Sequence, residues 1–438
     1  MAPPSSPLAP IEAARIFLEN IRKPALLLVA VSGGSDSTGL LLALHEILRI
    51  SGQTDVTLQA VTIDHALRPD AVAEAEGVKA LCRRLGISHH TLRWSDEKPK
   101  TGISAAARLA RYRLIGEVAT RIGATAIVVG HTLDDQRETI AMRSHRSAQA
   151  DRPGLSGMAD AVLYNACHWV LRPFLGVRRD DIRTYLAASG QGWFDDPSNT
   201  DEKYERVRVR KLSADGDLAF SGPRPDRAEL GARAAAFVSR AVDMFPGGLI
   251  RLRADCLDDD LAVIRYAVTA LACVAGGRAY PLAADSMDRV MAFLAVGRPG
   301  RLTAGRVVFD RRRQGLYLMR ENRDLPTITI SPGEAAVWDE RFEIVNRSKG
   351  QITVSGATNA SPDDATLAAV PAGVLKRAML AQPFVWPDAK GQGEGERGGV
   401  IVRPLVAPYD LFLPRFDLEL ANTIALRLGR GAYPQLPM

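Results

Sequence analysis

The chain has 438 residues, more than one ordinary domain holds, and 46% of them are hydrophobic, as in globular chains with buried cores. No apolar run reaches the roughly 18 residues that cross a bilayer, and the first residues lack the pattern of a secretory signal. We therefore expect a cytoplasmic protein with no membrane partner. Four cysteines without CxxC spacing argue against a structural zinc site, an iron–sulfur cluster and a disulfide framework.

The net charge is +6, and much of the excess is arginine in clusters such as RRDDIR and YERVRVRK. Arginine suits phosphate because its planar guanidinium donates two parallel hydrogen bonds. A modest positive charge is common among soluble proteins, so it favours a nucleic-acid partner only weakly. Each cluster is equally consistent with a solvated face.

In the first 200 residues, short apolar runs alternate with amphipathic ones. The pattern predicts strands at 25–31, 57–64, 88–94, 126–132 and 169–174, and helices at 36–49, 70–85, 103–123, 134–146 and 178–188. Strands separated by helices indicate a doubly wound parallel sheet, the Rossmann-like α/β class, which we assign to a domain at 1–212. Ligands of such sheets bind beyond the carboxyl ends of the strands.

The pattern changes after residue 212. Residues 213–227 are typical of a linker, and helices are predicted at 227–244, 259–275 and 285–296, with a hairpin at 306–321. We therefore expect a mostly helical domain at 213–325. From residue 326 onward, short β-type runs separated by Gly, Pro and Asp predict a small β-rich domain at 326–438.

The stretch SGGSDS connects the first predicted strand to the first helix of the sheet. Two glycines allow a tight turn, and the N-terminus of the helix supplies N–H groups and positive potential to a phosphate. The loop lacks the lysine of a Walker loop, which grips terminal phosphates. A plain Ser/Gly turn is the alternative, but the whole string between a strand and a helix is far more specific. The predicted phosphate-binding residues are Ser32, Gly33, Gly34, Ser35, Asp36 and Ser37.

Asp36 decides the chemistry predicted for this loop. Its carboxylate would repel phosphate unless a cation lies between them, so we assign Asp36 to Mg²⁺. A loop that holds free or leaving pyrophosphate favours cleavage of ATP between the α- and β-phosphates. The expected product is an adenylated acceptor rather than a phosphorylated one.

Further polar side chains lie at predicted strand ends or at the start of the helix that follows, where ligands of such a sheet bind. The carboxylate pair has an alternative role at a helix N-terminus, where acidic side chains are favoured without any catalytic role. A lone histidine is likewise more often structural. These residues are Asp64, His65, Gly130, His131, Asp134 and Asp135.

Two basic stretches complete the set of candidate residues. Arg108, Arg111 and Tyr112 share a face of the helix predicted at 103–123, where a surface salt-bridge role is the alternative. After a turn at 195–199, arginines at alternate positions would line one side of an extended chain and follow a nucleic-acid backbone. The candidates in and around this second stretch are Arg172, Asn199, Tyr204, Arg206, Arg208 and Arg210.

The loop resembles that of the PP-loop, or N-type ATP pyrophosphatase, superfamily. Read in order, DHALR, ARLARY, GHTLDDQRET, GLSGM, RPF and DPSNTDEKYERVRVRK resemble the motifs of the tRNA(Ile)-lysidine synthetases through nearly all of 25–210. Beyond residue 212 the resemblance is one of layout alone.

The resemblance implies a ligase that uses ATP to adenylate the C2 oxygen of the wobble cytidine in the CAU anticodon of tRNA(Ile). The ε-amine of free lysine then displaces AMP, which gives lysidine and changes codon reading from AUG to AUA. The implied catalytic residues are Asp36, Arg108, Arg111, Asp134 and Asp135, although the residues alone do not separate Asp134 from Asp135. A homodimer is left open.

Asp64, His65, Gly130 and His131 join the loop as predicted ATP-binding residues, and the second basic stretch is the predicted tRNA contact. The sequence bears on three other functions. A tRNA 2-thiolation enzyme and a glutamine-dependent amidotransferase would each need cysteines in contexts that this chain lacks. A non-catalytic ATP-binding sensor would need neither the carboxylate pair nor the basic stretch.

Overall fold

The computed structural model describes residues 7–66, 71–145, 157–195, 226–257, 259–357, 369–387 and 399–438. The chain divides into two compact units, a first unit of residues 1–225 with 435–438 and a second unit of residues 226–434. The boundary at 225 falls in the segment predicted as a linker. The further division at residue 325 stays a prediction. Within the described part of the chain, none of the helices is both long enough and apolar enough to cross a membrane.

The first unit alternates helices and strands in the predicted order. Its strands are Ala25–Ala30 (β1), Val56–Asp64 (β2), Ser88–Arg93 (β3), Ala126–Val129 (β4), Ala161–Tyr164 (β5) and His168–Leu171 (β6). Its helices are Pro10–Asn20 (α1), Ser35–Ser51 (α2), Ala71–Arg84 (α3), Ile103–Ile122 (α4), Leu133–His145 (α5) and Arg179–Ala188 (α6).

The six strands of the first unit are neighbours in the order β5-β6-β4-β1-β2-β3. All neighbours are parallel except β5, which pairs antiparallel with β6. The chain runs from β1 to one side through β2 and β3 and then returns to place β4 on the other side. The carboxyl ends of β1 and β4 therefore flank the topological switch point, where open α/β sheets bind their ligands.

Apolar residues at helical and strand spacing build this unit. The side chains of β4 are buried throughout, as expected of a central parallel strand covered on both faces. Helix α4 packs with Ala107, Ala110 and Leu114 against Trp94, and this spacing of three and four residues places them on one face. The doubly wound parallel α/β fold predicted from the sequence is confirmed, with α1 and the antiparallel β5 as additions.

The second unit contains helices and antiparallel sheets. Its helices are Arg227–Ala241 (α7), Leu261–Gly276 (α8), Ala284–Ala295 (α9), Ala372–Leu380 (α10) and Leu418–Arg427 (α11). Its strands are Val242–Phe245 (β7), Leu249–Arg253 (β8), Gly300–Ala304 (β9), Val307–Arg312 (β10), Gly315–Arg320 (β11), Ile328–Ile330 (β12), Ala335–Trp338 (β13), Phe342–Asn346 (β14), Ile352–Gly356 (β15), Pro383–Pro387 (β16), Val400–Pro404 (β17) and Phe412–Pro414 (β18).

Three sheets organise the second unit. Strands β7 to β11 form one five-stranded sheet in the order β7-β8-β11-β10-β9, and two three-stranded sheets follow, β12-β15-β16 and β13-β14-β17. The predicted hairpin is confirmed, since β10 and β11 pair antiparallel with Arg312 opposite Gly315. The helical middle region and the β-rich end predicted from the sequence are both present, and the middle region also carries the five-stranded sheet.

A buried ion-pair network, here called the arginine cluster, lies in the second unit. Asp339 is fully buried and accepts hydrogen bonds from Arg320 at 3.1 Å and from Arg341 Nε at 2.6 Å, and it also pairs with Arg306. Further donors of Arg320 and Arg341 reach the main-chain carbonyl oxygens of Arg323 and Ala381. Three guanidinium groups thus share one carboxylate inside the fold.

Candidate active site

The phosphate loop lies between β1 and α2, as the sequence predicts. Its φ angle of +88° places Gly33 in a conformation that side-chain-bearing residues rarely adopt. Gly34 is the residue before α2, and it has no side chain that could cap the helix. The first N–H groups of α2 therefore face the loop without a hydrogen bond from a capping side chain. This arrangement leaves the helix N-terminus open to an anion.

The serine hydroxyls of the loop make bonds within it. Ser37 Oγ accepts a hydrogen bond from the N–H of Ser32 at 3.1 Å and donates to the carbonyl of Gly34 at 3.2 Å. Ser35 Oγ donates to Asp36 Oδ1 at 3.0 Å. Ser37 therefore braces the turn, and the predicted contact of the Ser32, Ser35 and Ser37 hydroxyls with phosphate stays a prediction.

Phe194 packs on the outside of the loop. Its N–H donates to the carbonyl of Gly33 at 2.9 Å, and a Cβ atom added at Gly33 would lie 2.9 Å from its ring. A Cβ atom added at Gly77 of α3 would lie 2.6 Å from the same ring. Two glycines therefore provide the surface on which this ring rests, and the ring closes the outer side of the turn.

Gly130 brings the end of β4 against the start of α2. A Cβ atom on Gly130 would lie 2.9 Å from the carbonyl oxygen of Asp36 and 3.0 Å from Cα of Ser37, which are main-chain atoms with little freedom to move. Because Gly130 has no side chain, the end of β4 can lie this close to the start of α2 at the switch point. This close approach is the structural observation that best explains a glycine at the predicted site position.

Four charged side chains meet beside the loop and are here called the carboxylate cluster: Asp36, Asp135, Glu138 and Arg179. Arg179 Nε donates to Asp36 Oδ2 at 2.9 Å, and its terminal nitrogens lie 3.4 Å from Asp135 Oδ1 and 3.8 Å from Glu138 Oε1. The exposed fractions of the four side chains lie between 7% and 20%. Three carboxylates thus share one guanidinium in a partly buried site.

The pKa values in the cluster follow from burial and charge. Burial raises the pKa of the Asp36 carboxyl; Arg179 acts against the rise and Asp135 adds to it. Burial acts to lower the pKa of the Arg179 guanidinium, but the carboxylates of Asp36 and Asp135 outweigh it and the pKa is raised. The site therefore favours one more positive charge near its carboxylates.

The structure separates the two aspartates at the start of α5. Asp134 Oδ2 accepts the backbone N–H of Arg179 at 2.9 Å, so Asp134 caps α6. Asp135 Oδ2 accepts the N–H and the hydroxyl of Thr132 at 2.8 and 3.1 Å, and its other oxygen faces Arg179. Asp135 is therefore the member of the pair that belongs to the cluster.

His65 and Arg111 contact each other at the end of β2. Arg111 donates to Nε2 of His65 from Nε at 3.3 Å and from Nη2 at 3.1 Å. Burial, followed by the charge of Arg111, lowers the pKa of His65 to about 4, so the ring is neutral and accepts. Asp64 holds the turn after the strand, because its Oδ1 accepts the N–H of Ala66 at 2.7 Å.

The remaining described candidates lie close to this edge. Arg172 is 6% exposed and donates to His131 Nδ1 at 3.2 Å and to the carbonyl of Ala159 at 2.7 Å. Burial lowers the pKa of its guanidinium. The predicted contact of Arg172 with tRNA stays a prediction that its burial disfavours. Arg108 lies 5.0 Å from the ring centroid of Tyr112, a cation–π contact on α4.

Five predicted tRNA contacts lie outside the described residues: Asn199, Tyr204, Arg206, Arg208 and Arg210. The sequence pattern assigns no site role to Arg179 or Glu138, and the contact of Phe194 with the phosphate loop emerges only from the structure. Arg179 lies in the cluster RRDDIR, for which the sequence leaves phosphate contact and a solvated face open, and Glu138 lies in the motif GHTLDDQRET without an assigned role. The sequence signal for Glu138 was its position, three residues after Asp135 and therefore on the same helix face.

Within the described ranges, no group of three or more His, Cys, Asp or Glu side chains has the arrangement of a metal site. This finding is compatible with Mg²⁺, which proteins usually bind through one or two carboxylates together with substrate phosphates. Asp36 offers such a carboxylate beside the open helix N-terminus, with a fifth of its side chain exposed. The residues present therefore fit a magnesium ion that arrives with a nucleotide.

Comparison with known proteins gives the family. A family model described as a PP-loop domain matches residues 10–214. A tRNA(Ile)-lysidine synthase of Rhizobium meliloti (strain 1021) is 42% identical over 99% of this chain and 98% of its own length. One of Mesorhizobium japonicum is 39% identical over 93% of each chain.

A solved structure of the U34-tRNA thiolase NcsA from Methanococcus maripaludis covers 47% of this chain and 71% of its own. Its TM-score is 0.39 and its identity 13%, so nothing further rests on it. The two curated relatives extend over nearly the whole chain, and their matches include both units. The chain therefore belongs to the tRNA(Ile)-lysidine synthase family and carries that family's ATP-using PP-loop domain in residues 10–214.

Proposed function

We propose that this protein ligates free lysine to C2 of the wobble cytidine in the CAU anticodon of tRNA(Ile), with ATP cleaved to AMP and pyrophosphate. The observation that carries the proposal is the placement of an open, lysine-free phosphate loop next to a cluster with surplus carboxylates, at one switch point. The first element suits a leaving pyrophosphate and the second suits a cationic amine. A phosphoryl-transfer enzyme of the Walker type has this loop in a different form, with a lysine on the terminal phosphates.

In the first step, the C2 oxygen of cytidine attacks the α-phosphorus of ATP, and the bond to the bridging oxygen of pyrophosphate breaks. The main-chain N–H groups of residues 33–37 and the N-terminus of α2 receive the leaving pyrophosphate. Asp36 would hold Mg²⁺ against the phosphates, and the ion would offset the charge that develops there. Arg108 and Arg111, both exposed on α4, are the proposed contacts to ATP or the activated base.

In the second step, the neutral ε-amine of lysine attacks C2, AMP leaves, and a proton of the amine must be removed. We assign Asp135 and Glu138 to the ammonium group because Asp135 is partly buried, Glu138 is buried, and both lie near a single cation. Either carboxylate can take the proton as the amine attacks, since only the neutral amine is nucleophilic. Asp134 acts indirectly, as the cap that fixes the start of α6.

Several finer assignments belong to the same proposal. Asp64, His65, Gly130 and His131 border the ATP site, where the neutral His65 orients Arg111. The basic stretch after residue 195 and the regions at 213–325 and 326–438 bind tRNA. The protein acts in the cytoplasm, and a homodimer is a further possibility that size-exclusion chromatography with light scattering would test.

The decisive experiment is mass analysis of the anticodon nucleosides after incubation with ATP, lysine and a tRNA(Ile) transcript. The proposal expects a cytidine replaced by lysidine, and it expects AMP with pyrophosphate as the other products. Release of ADP and orthophosphate would overturn it. ATP binding without turnover in any combination of tRNA and lysine would support a sensor instead.

A further inference from the structure

Arg179 joins the phosphate loop to the start of α5. Its bond to Asp36 Oδ2, at 2.9 Å, has the length of a charge-assisted hydrogen bond. Its separations from Asp135 and Glu138, at 3.4 and 3.8 Å, lie at or beyond the limit for such a bond. The guanidinium therefore bonds Asp36 most closely and faces the carboxylates of Asp135 and Glu138 at longer range.

The main chain fixes the position of Arg179. Its backbone N–H donates to Asp134 Oδ2 at 2.9 Å, and the N–H of Leu133 donates to the carbonyl of Val177 at 2.9 Å. The N-termini of α5 and α6 are thus tied together at two points, one from each helix. Because both ties involve main-chain groups next to the cluster, the distance from the Arg179 backbone to Asp135 is set by the fold.

Charge makes this placement necessary. Three carboxylates within reach of one guanidinium leave a surplus of negative charge in a partly buried site, where water screens them poorly. Thr132 holds Asp135 in place, so without the guanidinium the repulsion would move Asp36 and Glu138 away from Asp135. An incoming ammonium group would then have to gather them at the cost of its own binding energy.

We propose that Arg179 is a positioning residue, whose guanidinium holds the carboxylates of Asp135 and Glu138 beside Asp36 so that the ε-ammonium of lysine binds there as a second cation. The inference rests on the proposed function, because it names how that function's amine site is assembled. Arg179 itself touches no reacting atom in this scheme. Asp36 also accepts a hydrogen bond from Ser35, which remains when Arg179 is changed, so the effect of Arg179 should fall on lysine more than on ATP.

The test compares Arg179→Gln, which removes the charge, with Arg179→Lys, which retains it, and with Arg178→Gln as a matched control. Arg178 is the exposed neighbour that precedes α6 and lies outside the cluster. Lysidine formation gives KM for lysine and for ATP, and tRNA-dependent ATP–pyrophosphate exchange without lysine reports the first step alone. R179Q should raise KM for lysine about tenfold or more and change KM for ATP less than about threefold. A tenfold change is the size expected when the charge-assisted contacts of one guanidinium are lost. R179K should restore most of the lysine KM, and R178Q should match the wild type.

Three results would overturn the inference: equal changes in both KM values, an R179K variant as impaired as R179Q, or an R179Q variant indistinguishable from R178Q. If circular dichroism shows that R179Q does not fold, a double-mutant cycle of R179K with Glu138→Gln takes its place. A coupling in the lysine KM is then expected, and additive effects would contradict the proposal. Failure of the wild type to form lysidine would remove the proposed function itself, a different outcome from any of these.

Discussion

Two ion clusters in this molecule have opposite compositions. The carboxylate cluster of the first unit places three carboxylates around Arg179, and the arginine cluster of the second unit places three arginines around Asp339. The arginine cluster is closed: Asp339 is fully buried, and surplus donors of Arg320 and Arg341 reach main-chain carbonyls. The carboxylate cluster is partly exposed and lies beyond the carboxyl ends of the central strands, where ligands of this fold bind. The extra positive charge of the arginine cluster is satisfied by main-chain carbonyls and stabilises the fold. The extra negative charge of the carboxylate cluster lies in an open site and is suited to bind a ligand.

The largest expected effect tests the structural side of this contrast. Asp339→Asn leaves three guanidinium groups without their counter-ion, and removing one partner of a buried ion pair costs about 3–5 kcal/mol. Asn tolerates the left-handed φ of +53° at this position, so the change isolates the charge. Urea unfolding should show the loss, with Glu343→Gln, in a more exposed pair with Arg403, as the control. A loss below about 1 kcal/mol would mean that the arginine cluster does not stabilise the second unit.

Asp36→Asn tests the functional side. Loss of this carboxylate should lower the rate of tRNA-dependent ATP–pyrophosphate exchange by about 100-fold or more, because transition-state charge at the phosphates loses its support. Asp36→Asn should shift the urea midpoint much less than Asp339→Asn does. The exposed Asp55→Asn is the matched control. Exchange at the wild-type rate would remove the assignment of Asp36 to the phosphates and their metal.

Gly33→Ala tests whether the open site depends on the shape of its loop. Alanine at a φ of +88° is strained by about 1–3 kcal/mol, and its Cβ would meet the ring of Phe194 at 2.9 Å. KM for ATP should rise about tenfold as the main-chain N–H groups move. Gly52→Ala is the control, because its φ is also positive, at +65°, while nothing lies within 4 Å of the added atom. Equal effects on ATP from both variants would show that backbone strain alone, and not the loop, is responsible.

The smallest effect sharpens the contrast within the arginine cluster. The Arg306 side chain is 35% exposed, far more than those of its two neighbours, so Arg306→Gln should cost less than about 1 kcal/mol in urea unfolding. Arg306 also has a positive φ, and glutamine at this position would be strained to a similar degree, so the substitution does not change the backbone strain. A cost as large as that of Asp339→Asn would show that the stabilisation depends on all three arginines together.

The sequence predicted the first unit well because its signals are local. The buried β1 and β4 are short apolar runs that end at polar turns, and such runs are typical of central parallel strands. β5 was missed because it is a four-residue strand in a tight hairpin with β6 that turns through Asn165 and Ala166 at positive φ. Neither residue is a glycine, so the usual turn signal was lacking.

The part of the site that has local sequence signals was predicted, and the part that depends on tertiary contacts was not. Asp36 follows from its place in the loop, but Asp134 and Asp135 stand side by side at one helix start and cannot be told apart there. What separates them is the start of α6, 45 residues further on, where the backbone N–H of Arg179 meets Asp134. Arg179 itself has the sequence context of a solvated surface, and tertiary packing alone gives it three acidic neighbours.

The ring of Phe194 rests on both Gly33 and Gly77, although these glycines are 44 residues apart in the chain and belong to different elements. Gly77 carries no chemistry of its own, yet a methyl group placed on α3 there would lie 2.6 Å from the aromatic ring, so the ring would have to move. The hydrogen bond from Phe194 to the Gly33 carbonyl would carry that displacement into the backbone of the turn. A position on a flanking helix is thus coupled through one aromatic ring to the loop proposed to bind ATP.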